Sequence, residues 1–198
     1  MILSPGPVDQ GARHPTAGMT DAKAMFESSA GLDDVSAVVV THRRSRLATQ
    51  AVRSLIESEG FDPTRVTVVV NGEGGLEDPS LERAVRMVRL DSNLGPAGGF
   101  RRALTEAFAD PRTRWAYVCE DDFTLLHLPT PRVATVLGRL ADLPSGSGPV
   151  GAVVPFGRVF IGRSGHAVNV VPRLGSPGDF ADVDVTTWGA TLISREVV

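Results

Sequence analysis

The sequence predicts an α/β fold with a mainly parallel central sheet and helices on both faces. Short β-branched runs such as Val35–Val40 and Val66–Val70 are typical of strands that are buried on both faces of a parallel sheet. Between these runs, apolar residues recur at helical spacing. Regular alternation of strand and helix favours crossovers that place helices on both sides of one sheet.

Length and composition agree with one domain of this class. The 198 residues carry 20 Lys or Arg and 23 Asp or Glu, a formal charge of −3, and 42% are hydrophobic. This content excludes wholesale disorder, and the slightly acidic balance argues against a nucleic-acid partner. The single cysteine, Cys119, excludes an intramolecular disulfide and fits a reducing compartment. Because no apolar run approaches ~18 residues and no secretory signal is evident, we expect a cytoplasmic protein.

Residues 1–34 predict a flexible leader, because prolines, glycines and charges interrupt any apolar period. A short helix is expected within it, near Ala22–Ser28. Residues 35–198 form the predicted domain. Its expected strands are Val35–Val40, Val66–Val70, Val88–Leu90 and Trp115–Cys119, with weaker ones near Val150–Val154 and Val168–Val171 and a last segment over Trp188–Ser194.

Spacing and capping residues predict the helices between these strands. Apolar residues over Ala48–Ile56 fall on one helical face, and Gly60 ends that helix. Asp78 followed by Pro79 is a typical N-cap and first-turn pair. The remaining predicted helices are Pro96–Phe108 and Leu128–Ala141.

Polar residues that follow the strands are the candidates for function, because ligands of an open parallel sheet bind beyond the carboxyl ends of its strands. These segments should converge on one edge of the sheet. In chain order they are Thr41–Arg46, Asn71–Gly75, Asp91–Gly99 and Glu120–Asp122.

The acidic triplet Glu120-Asp121-Asp122 is the most specific of these segments. Three consecutive carboxylates after a buried strand repel one another and lose hydration, so a positive partner has to compensate them. Oxygen ligands of this kind suit Mg²⁺ or Mn²⁺, especially where the cation also bridges phosphates. A solvated acidic turn that caps the next segment is the alternative interpretation.

The glycine-rich segment before Phe100 leaves two interpretations open. Glycines at a helix start let backbone N–H groups approach an anion, or they allow a tight turn and close packing. Neither Gly-x-Gly-x-x-Gly nor Gly-x-x-x-x-Gly-Lys-Ser/Thr occurs, so no Rossmann dinucleotide site and no P-loop is predicted. Four arginines could clamp diphosphate oxygens or be solvated surface charges: Arg43, Arg44, Arg101 and Arg102.

Five motifs also occur in a fixed order over about residues 35–198. They are VSAVVVTHRR (Val35–Arg44), VTVVVNG (Val66–Gly72), NLGPAGGFRRAL (Asn93–Leu104), WAYVCEDDF (Trp115–Phe123) and TWGATLISRE (Thr187–Glu196). Together they resemble family 2 glycosyltransferases of the GT-A fold. Within that family they look most like rhamnosyl- and galactofuranosyl-transferases, in which Asn-x-Gly-x-Ala-Gly-Gly-Phe is a familiar string.

The resemblance implies a GT-A-like domain with a nucleotide site at the carboxyl edge of the sheet. It implies inverting transfer of a rhamnose- or galactofuranose-like sugar from a UDP or dTDP donor to a glycan or lipid-linked glycan acceptor, with Mg²⁺ or Mn²⁺ as cofactor. Carried over by position, the metal ligands are Glu120, Asp121 and Asp122. The donor-binding residues are Thr41, Arg43, Asn71, Asn93, Gly98, Gly99, Arg101 and Asp121. Trp188 and Gly189 face the acceptor.

Departures from the family pattern concern the nucleobase and the general base. Val70 stands where the family often has an aspartate that contacts the base, and Arg101 replaces a commoner asparagine. The general base of the family usually follows the Trp-Gly segment, so we expect it beyond Val198, in a domain cut short on its C-terminal side. Asp182 and Asp184 are the candidates within the chain.

Two other functions remain open at this point. A nucleotidyltransferase shares the layered architecture and the acidic metal site, but it would want a glycine in the loop after the first strand, and Thr41–Arg44 has none. A non-catalytic nucleotide-sugar-binding module of a polysaccharide assembly would bind the donor without transfer. Association with the inner face of the cell membrane would come from missing segments or from a partner.

Overall fold

A computed structural model describes residues 31–123, 132–142, 150–153, 157–161, 166–170, 185–186 and 190–198. Strands in these ranges are β1 Val35–Thr41, β2 Val66–Val70, β3 Arg86–Arg89, β4 Trp115–Glu120, β5 Ala152–Val153, β6 Gly157–Ile161, β7 His166–Val170, β8 Val185–Thr186 and β9 Ala190–Ser194. Helices are α1 Ser45–Arg53, which continues as a π-helical turn over Ser54–Glu59, α2 Pro79–Ala84, α3 Gly95–Ala107 and α4 Val133–Ala141. Short 3₁₀ turns span Pro63–Arg65 and Arg195–Val197.

Six of the described strands form the central sheet, in the order β3-β2-β1-β4-β9-β5. The first four strands of the chain are parallel, and β9 runs antiparallel to both β4 and β5. The chain steps outward from β1 to β3 and then crosses back to place β4 on the other side of β1. This reversal makes the gap between β1 and β4 a topological switch point, where open α/β sheets bind ligands. The predicted mainly parallel α/β sheet is confirmed.

Alternate residues of the buried strands pack on opposite faces of this sheet. One face carries α1, the π-helical turn and α4, and its core includes Val35, Ala37, Val39, Ala51, Val52, Leu55, Val68, Cys119 and Val133. The other face carries α3, with Val38, Val69, Val88, Ala116 and Val118 against Phe100, Ala103 and Ala107. Helices therefore cover both faces, as predicted.

Cys119 belongs to the first of these cores. Burial is the main cause that raises the pKa of its thiol to about 12, and the nearby acidic residues add to it. The side chain therefore stays a neutral thiol and packs as an apolar group.

Most predicted elements are confirmed with small shifts of their ends. β2 has the predicted bounds, and Gly60 ends the π-helical turn with φ 85°, while the N–H groups of Gly60 and Phe61 both bond to the Leu55 carbonyl. That left-handed conformation favours glycine. The Asp78 cap is also confirmed, since its carboxylate accepts from the N–H groups of the first turn of α2.

Other expectations shift or lie outside the described residues. The third strand is Arg86–Arg89 instead of Val88–Leu90, because it lies at the edge of the sheet and buries mainly Val88. β6 and β8 were not predicted. The expected helix Ala22–Ser28 and the first part of the helix expected from Leu128 lie outside the described ranges. Within residues 31–34, Leu32 packs against the core and accepts a hydrogen bond from the Val35 N–H.

Arg195 joins the segment after β9 to the turn before β4. Its guanidinium donates to the carbonyls of Thr113 (2.6 Å), Phe108 (3.0 Å) and Asp110 (2.6 Å), and it lies 4.8 Å from the centre of the Phe108 ring. Charged hydrogen bonds of this kind are stronger than neutral ones. These bonds attach the segment that precedes β4 to the residue that follows β9.

A close approach between α3 and the sheet requires glycine at position 99. A Cβ atom there would lie 2.9 Å from Cγ1 of Val40 and 3.1 Å from Nδ2 of Asn71. At Gly98 a Cβ atom would meet Cβ of Leu94 at 2.4 Å. The packing interpretation of the glycine-rich segment therefore holds for these two residues.

We predict that Gly99→Ala lowers the free energy of unfolding by about 1–3 kcal/mol, because α3 must move away from β1 to admit the methyl group. The matched control is Gly138→Ala in α4, where an added Cβ meets no atom within 4 Å. That variant should gain about 0.5–1 kcal/mol from helix propensity. Urea titrations of both variants measure the difference, and equal behaviour of the two would contradict the close approach.

Glu59 is a buried carboxylate, the last residue of the π-helical turn, and it caps the start of α4. Its Oε2 accepts from the Val133 N–H at 2.7 Å. Burial raises the pKa of Glu59 above its usual range, although the Val133 hydrogen bond and the charge of Arg132 act against the rise. The ionised form of Glu59 therefore destabilises the folded protein relative to the protonated form.

We predict that Glu59→Gln stabilises the protein near pH 7.5 and that the gain shrinks as the pH falls. The folded pKa of Glu59 is higher than the unfolded one, so wild-type stability is lost as the pH rises through the folded pKa. Glutamine keeps an oxygen for Val133 and removes the charge. Unfolding free energies measured from pH 4 to pH 8 test this, with the exposed residue Glu57→Gln as a control that should show no such trend.

Candidate functional site

The carboxyl ends of β1 and β4 lie side by side at the switch point. Val40 is opposite Glu120 in the parallel register, so Thr41 and Asp121 come next in line. Thr41 Oγ1 donates a hydrogen bond of 2.7 Å to Asp121 Oδ2. Asp121 is only 4% exposed, and this bond fixes the orientation of its carboxylate.

Arg44 donates hydrogen bonds to the carboxylates of both Asp121 and Asp122. Its Nη1 atom donates to Asp121 Oδ1 at 3.2 Å and to Asp122 Oδ2 at 2.8 Å. The Arg44 and Asp122 side chains are 55% and 52% exposed, whereas that of Asp121 is 6% exposed. The charge of Asp121, followed by the hydrogen bonds to both aspartates, raises the pKa of Arg44. A single positive group thus serves two carboxylates.

The repulsion predicted within the acidic triplet is evident at Glu120. Burial raises the pKa of Glu120, and the negative charges of Asp122 and Asp121 raise it further, while Arg44 acts in the opposite direction. The predicted ligation of a metal by all three residues stays a prediction. In the described part of the chain, no three His, Cys, Asp or Glu side chains are arranged as a ready metal site.

The donor set nevertheless fits a hard divalent cation. Because Asp121 Oδ1 and Asp122 Oδ2 both reach the same nitrogen, both oxygens face one position in space. Mg²⁺ is commonly held by one or two carboxylates, with water and substrate phosphates completing the coordination. These two aspartates are the residues that would hold it.

Asn71, at the end of β2, positions the start of α3 beside this site. Its Oδ1 accepts from the Leu94 N–H and its Nδ2 donates to the Gly95 carbonyl, both at 2.9 Å. Its own N–H donates to the Thr41 carbonyl at 2.8 Å. Asn71 is buried and therefore acts on the site through the backbone that it holds.

His42 and Arg43 tie the loop after β1 to the loop after β2. His42 Nδ1 lies 2.8 Å from the Asn71 carbonyl, and because a carbonyl can only accept, Nδ1 carries the proton. Arg43 donates to both carboxylate oxygens of Glu73 at 3.0 and 3.1 Å, and its N–H bonds to the Glu73 carbonyl. The pKa of Glu73 is lowered, first by this side-chain hydrogen bond.

The other predicted donor-binding residues lie at the start of α3. Asn93 Oδ1 accepts from the Gly95 N–H at 2.8 Å and forms the turn into the helix. Gly98 and Gly99 follow in its first turns, and Arg101 is exposed on the next turn. The predicted acceptor-side residues, Trp188 and Gly189, lie outside the described residues, and so do Asp182 and Asp184, the candidates within the chain for the general base.

Arg43 was the arginine predicted to bind the donor, and for Arg44 a diphosphate clamp and a solvated surface charge were both open, whereas it is Arg44 that contacts the aspartates. The reason is local backbone geometry. Arg43 adopts φ 59°, in the left-handed region, so the chain turns sharply between the two arginines and their side chains diverge. The sequence signal that could have indicated Arg44 is its position directly before α1. That signal does not distinguish Arg44 from the adjacent Arg43.

A comparison of the sequence with models of known protein families gave no match, and a comparison with curated proteins gave none either. The likeness to family 2 glycosyltransferases therefore stays a resemblance carried by the motifs. None of the helices in the described ranges is long and apolar enough to cross a membrane.

We predict that Thr41→Val lowers the free energy of unfolding by about 1–3 kcal/mol, since it keeps the side-chain shape and removes a hydrogen bond to a buried carboxylate. Thr41→Ser, which keeps the hydroxyl, should recover most of that loss. Denaturant titrations at pH 7 check both variants. If the valine variant proved as stable as the serine variant, the Thr41–Asp121 bond would not be what orients the carboxylate.

Proposed function

We propose that this chain is the donor-binding part of an inverting glycosyltransferase of the GT-A type. It binds a nucleotide-diphosphate sugar at the carboxyl edge of the sheet, together with Mg²⁺ or Mn²⁺ on Asp121 and Asp122. One observation carries the proposal. Side chains from the ends of β1 and β4 meet at the switch point, where an oxygen of Asp121 and an oxygen of Asp122 face the same positive group, Arg44 Nη1.

Differences in exposure support a site that is both rigid and accessible. Asp121 is buried and oriented by Thr41, so one ligand is positioned in advance. Asp122 is half exposed and can be reached by a bound molecule from solvent. Groups fixed in advance lose little entropy when a ligand binds, which favours tight and specific binding.

The start of α3 supplies the second feature that a diphosphate requires. Asn71 holds Leu94 and Gly95 at the same edge of the sheet, so the N-terminal end of a 13-residue helix lies there. The partial positive charge of a helix N-terminus favours anions. Cation and helix would thus act on the same phosphate groups.

These features suit transfer chemistry with a diphosphate leaving group. The bond between the sugar C1 and the phosphate oxygen breaks, the acceptor oxygen forms the new bond, and its proton goes to a carboxylate base. A divalent cation, when bound, offsets the charge that builds up on the departing diphosphate. Asp182 and Asp184 are the proposed candidates within the chain for this base. The proposed acceptor is a glycan or lipid-linked glycan, at the cytoplasmic side of the membrane.

We predict that Asp122→Asn weakens Mn²⁺-dependent binding of UDP or dTDP at least about tenfold, or ~1.4 kcal/mol, because the cation loses its accessible carboxylate. Calorimetric titration of each nucleotide, with and without Mn²⁺, measures this and identifies the preferred base. The matched control is Asp142→Asn, the same substitution at an exposed residue that ends α4. It should leave the affinity unchanged.

Two outcomes of that titration, and two of activity assays with a nucleotide-sugar donor or a nucleoside triphosphate, decide between functions. Loss of metal-dependent binding in Asp122→Asn alone supports the donor site. No binding of either nucleotide to the unaltered chain would overturn it. If a nucleotide-sugar donor binds but no sugar is transferred or hydrolysed, the non-catalytic module is favoured, and release of pyrophosphate from a nucleoside triphosphate would favour the nucleotidyltransferase.

A further inference from the structure

Arg44 occupies the position that a cation would need. Its Nη1 atom stands 3.2 Å from Asp121 Oδ1 and 2.8 Å from Asp122 Oδ2. Mg²⁺ binds such oxygens at about 2.0–2.1 Å, so an ion that replaced Nη1 between the two oxygens would lie only about 1 Å from the present position of that nitrogen. Two positive groups at such a short distance also repel one another strongly. The guanidinium and the ion therefore exclude each other.

We propose that Arg44 is an internal counter-cation that a divalent ion must displace before it can bind. This inference rests on the proposed nucleotide-sugar site, because it concerns the same two aspartates. It adds that the free protein binds the cation weakly and that the cation enters mainly together with a diphosphate.

The structure makes Arg44 the partner that moves. Its side chain is 55% exposed and precedes α1, at a residue with the non-helical angles φ −112° and ψ 51°. Asp121, in contrast, is buried and held by Thr41. A long exposed side chain can swing into water at little cost, whereas withdrawing the carboxylate would break a buried hydrogen bond.

The balance of charge explains why a diphosphate should favour the exchange. Glu120, Asp121 and Asp122 bring three potential negative charges, of which Arg44 compensates one. A divalent ion compensates the aspartates better, but it releases Arg44 without a partner. An anionic diphosphate at the same edge offers new negative charge to both cations, so ion and nucleotide bind with positive coupling, and each strengthens the other equally.

We predict that Arg44→Gln binds Mn²⁺ between about five- and fiftyfold more tightly than wild type in the absence of nucleotide. Electron paramagnetic resonance of free Mn²⁺, or calorimetry, measures the affinity on the full chain. Arg46→Gln is the matched control, since it removes the same charge from an exposed arginine two positions along. It should change the Mn²⁺ affinity less than about twofold, because an exposed charge farther from the ligands is screened.

A second variant, Arg44→Lys, guards against a general effect of altering the loop. Lysine keeps the positive charge on a shorter side chain that reaches the two aspartates less well, so its Mn²⁺ affinity should fall between those of wild type and Arg44→Gln. The inference is overturned if Arg44→Gln binds Mn²⁺ no more tightly than Arg46→Gln does, and equally if no variant binds it at millimolar concentration.

Addition of UDP separates this inference from the proposed function. We expect UDP to raise the Mn²⁺ affinity of wild type by a larger factor than that of Arg44→Gln. If UDP binds wild type with Mn²⁺ while Arg44→Gln gains no affinity for the free ion, the counter-cation role fails and the donor site stands. If Arg44→Gln gains affinity for Mn²⁺ while neither UDP nor dTDP binds, the exchange stands and the donor site fails.

Discussion

A carboxylate buried at the end of a parallel strand needs a partner, and at Asp121 the neighbouring strand supplies it. Thr41 at the end of β1 donates to one oxygen, and Arg44, just before α1, donates to the other. Burial of an unpaired charge would cost more than most single interactions return. The ends of β1 and β4 are consequently held together where the chain connections diverge, and the arrangement of the whole edge follows from that junction.

The layers on either side of the sheet serve the same edge. Asn71 fixes the first turn of α3, and Gly99 lets that helix approach Asn71 and Val40 closely. The bonds between Arg43 and Glu73 join the two preceding loops. Packing and polar contacts are thus coupled, because Asn71 holds the start of α3 by hydrogen bonds and also leaves no room for a side chain at position 99.

Local patterns in the sequence were sufficient for much of the fold. The β-branched run of β2 and the Asp78 cap act within a few residues, and the order of the elements predicts that Thr41 and Asp121 meet at one edge. Contacts between distant residues were not predictable in this way. Glu59 caps α4 through Val133, a pairing that no spacing reveals. The choice of Arg44 over Arg43 depends on one backbone angle. β6 pairs with the next strand, β7, and with the two-residue strand β8, and its own short run carries no clear strand pattern.

The place of β9 in the sheet has a consequence for how the protein comes to be folded. The acidic triplet begins at the last residue of β4, and one edge of β4 is paired with β9, with Cys119 opposite Ala190 and Trp115 opposite Ser194. Such non-local pairing is slow to form. Because β9 is synthesised about 70 residues after β4, we expect one edge of β4 to stay unpaired until Ala190–Ser194 has been made and Arg195 anchors it. An unpaired strand edge can pair with a wrong partner, so we expect mispairing during folding to affect β4, the strand that directly precedes Asp121 and Asp122.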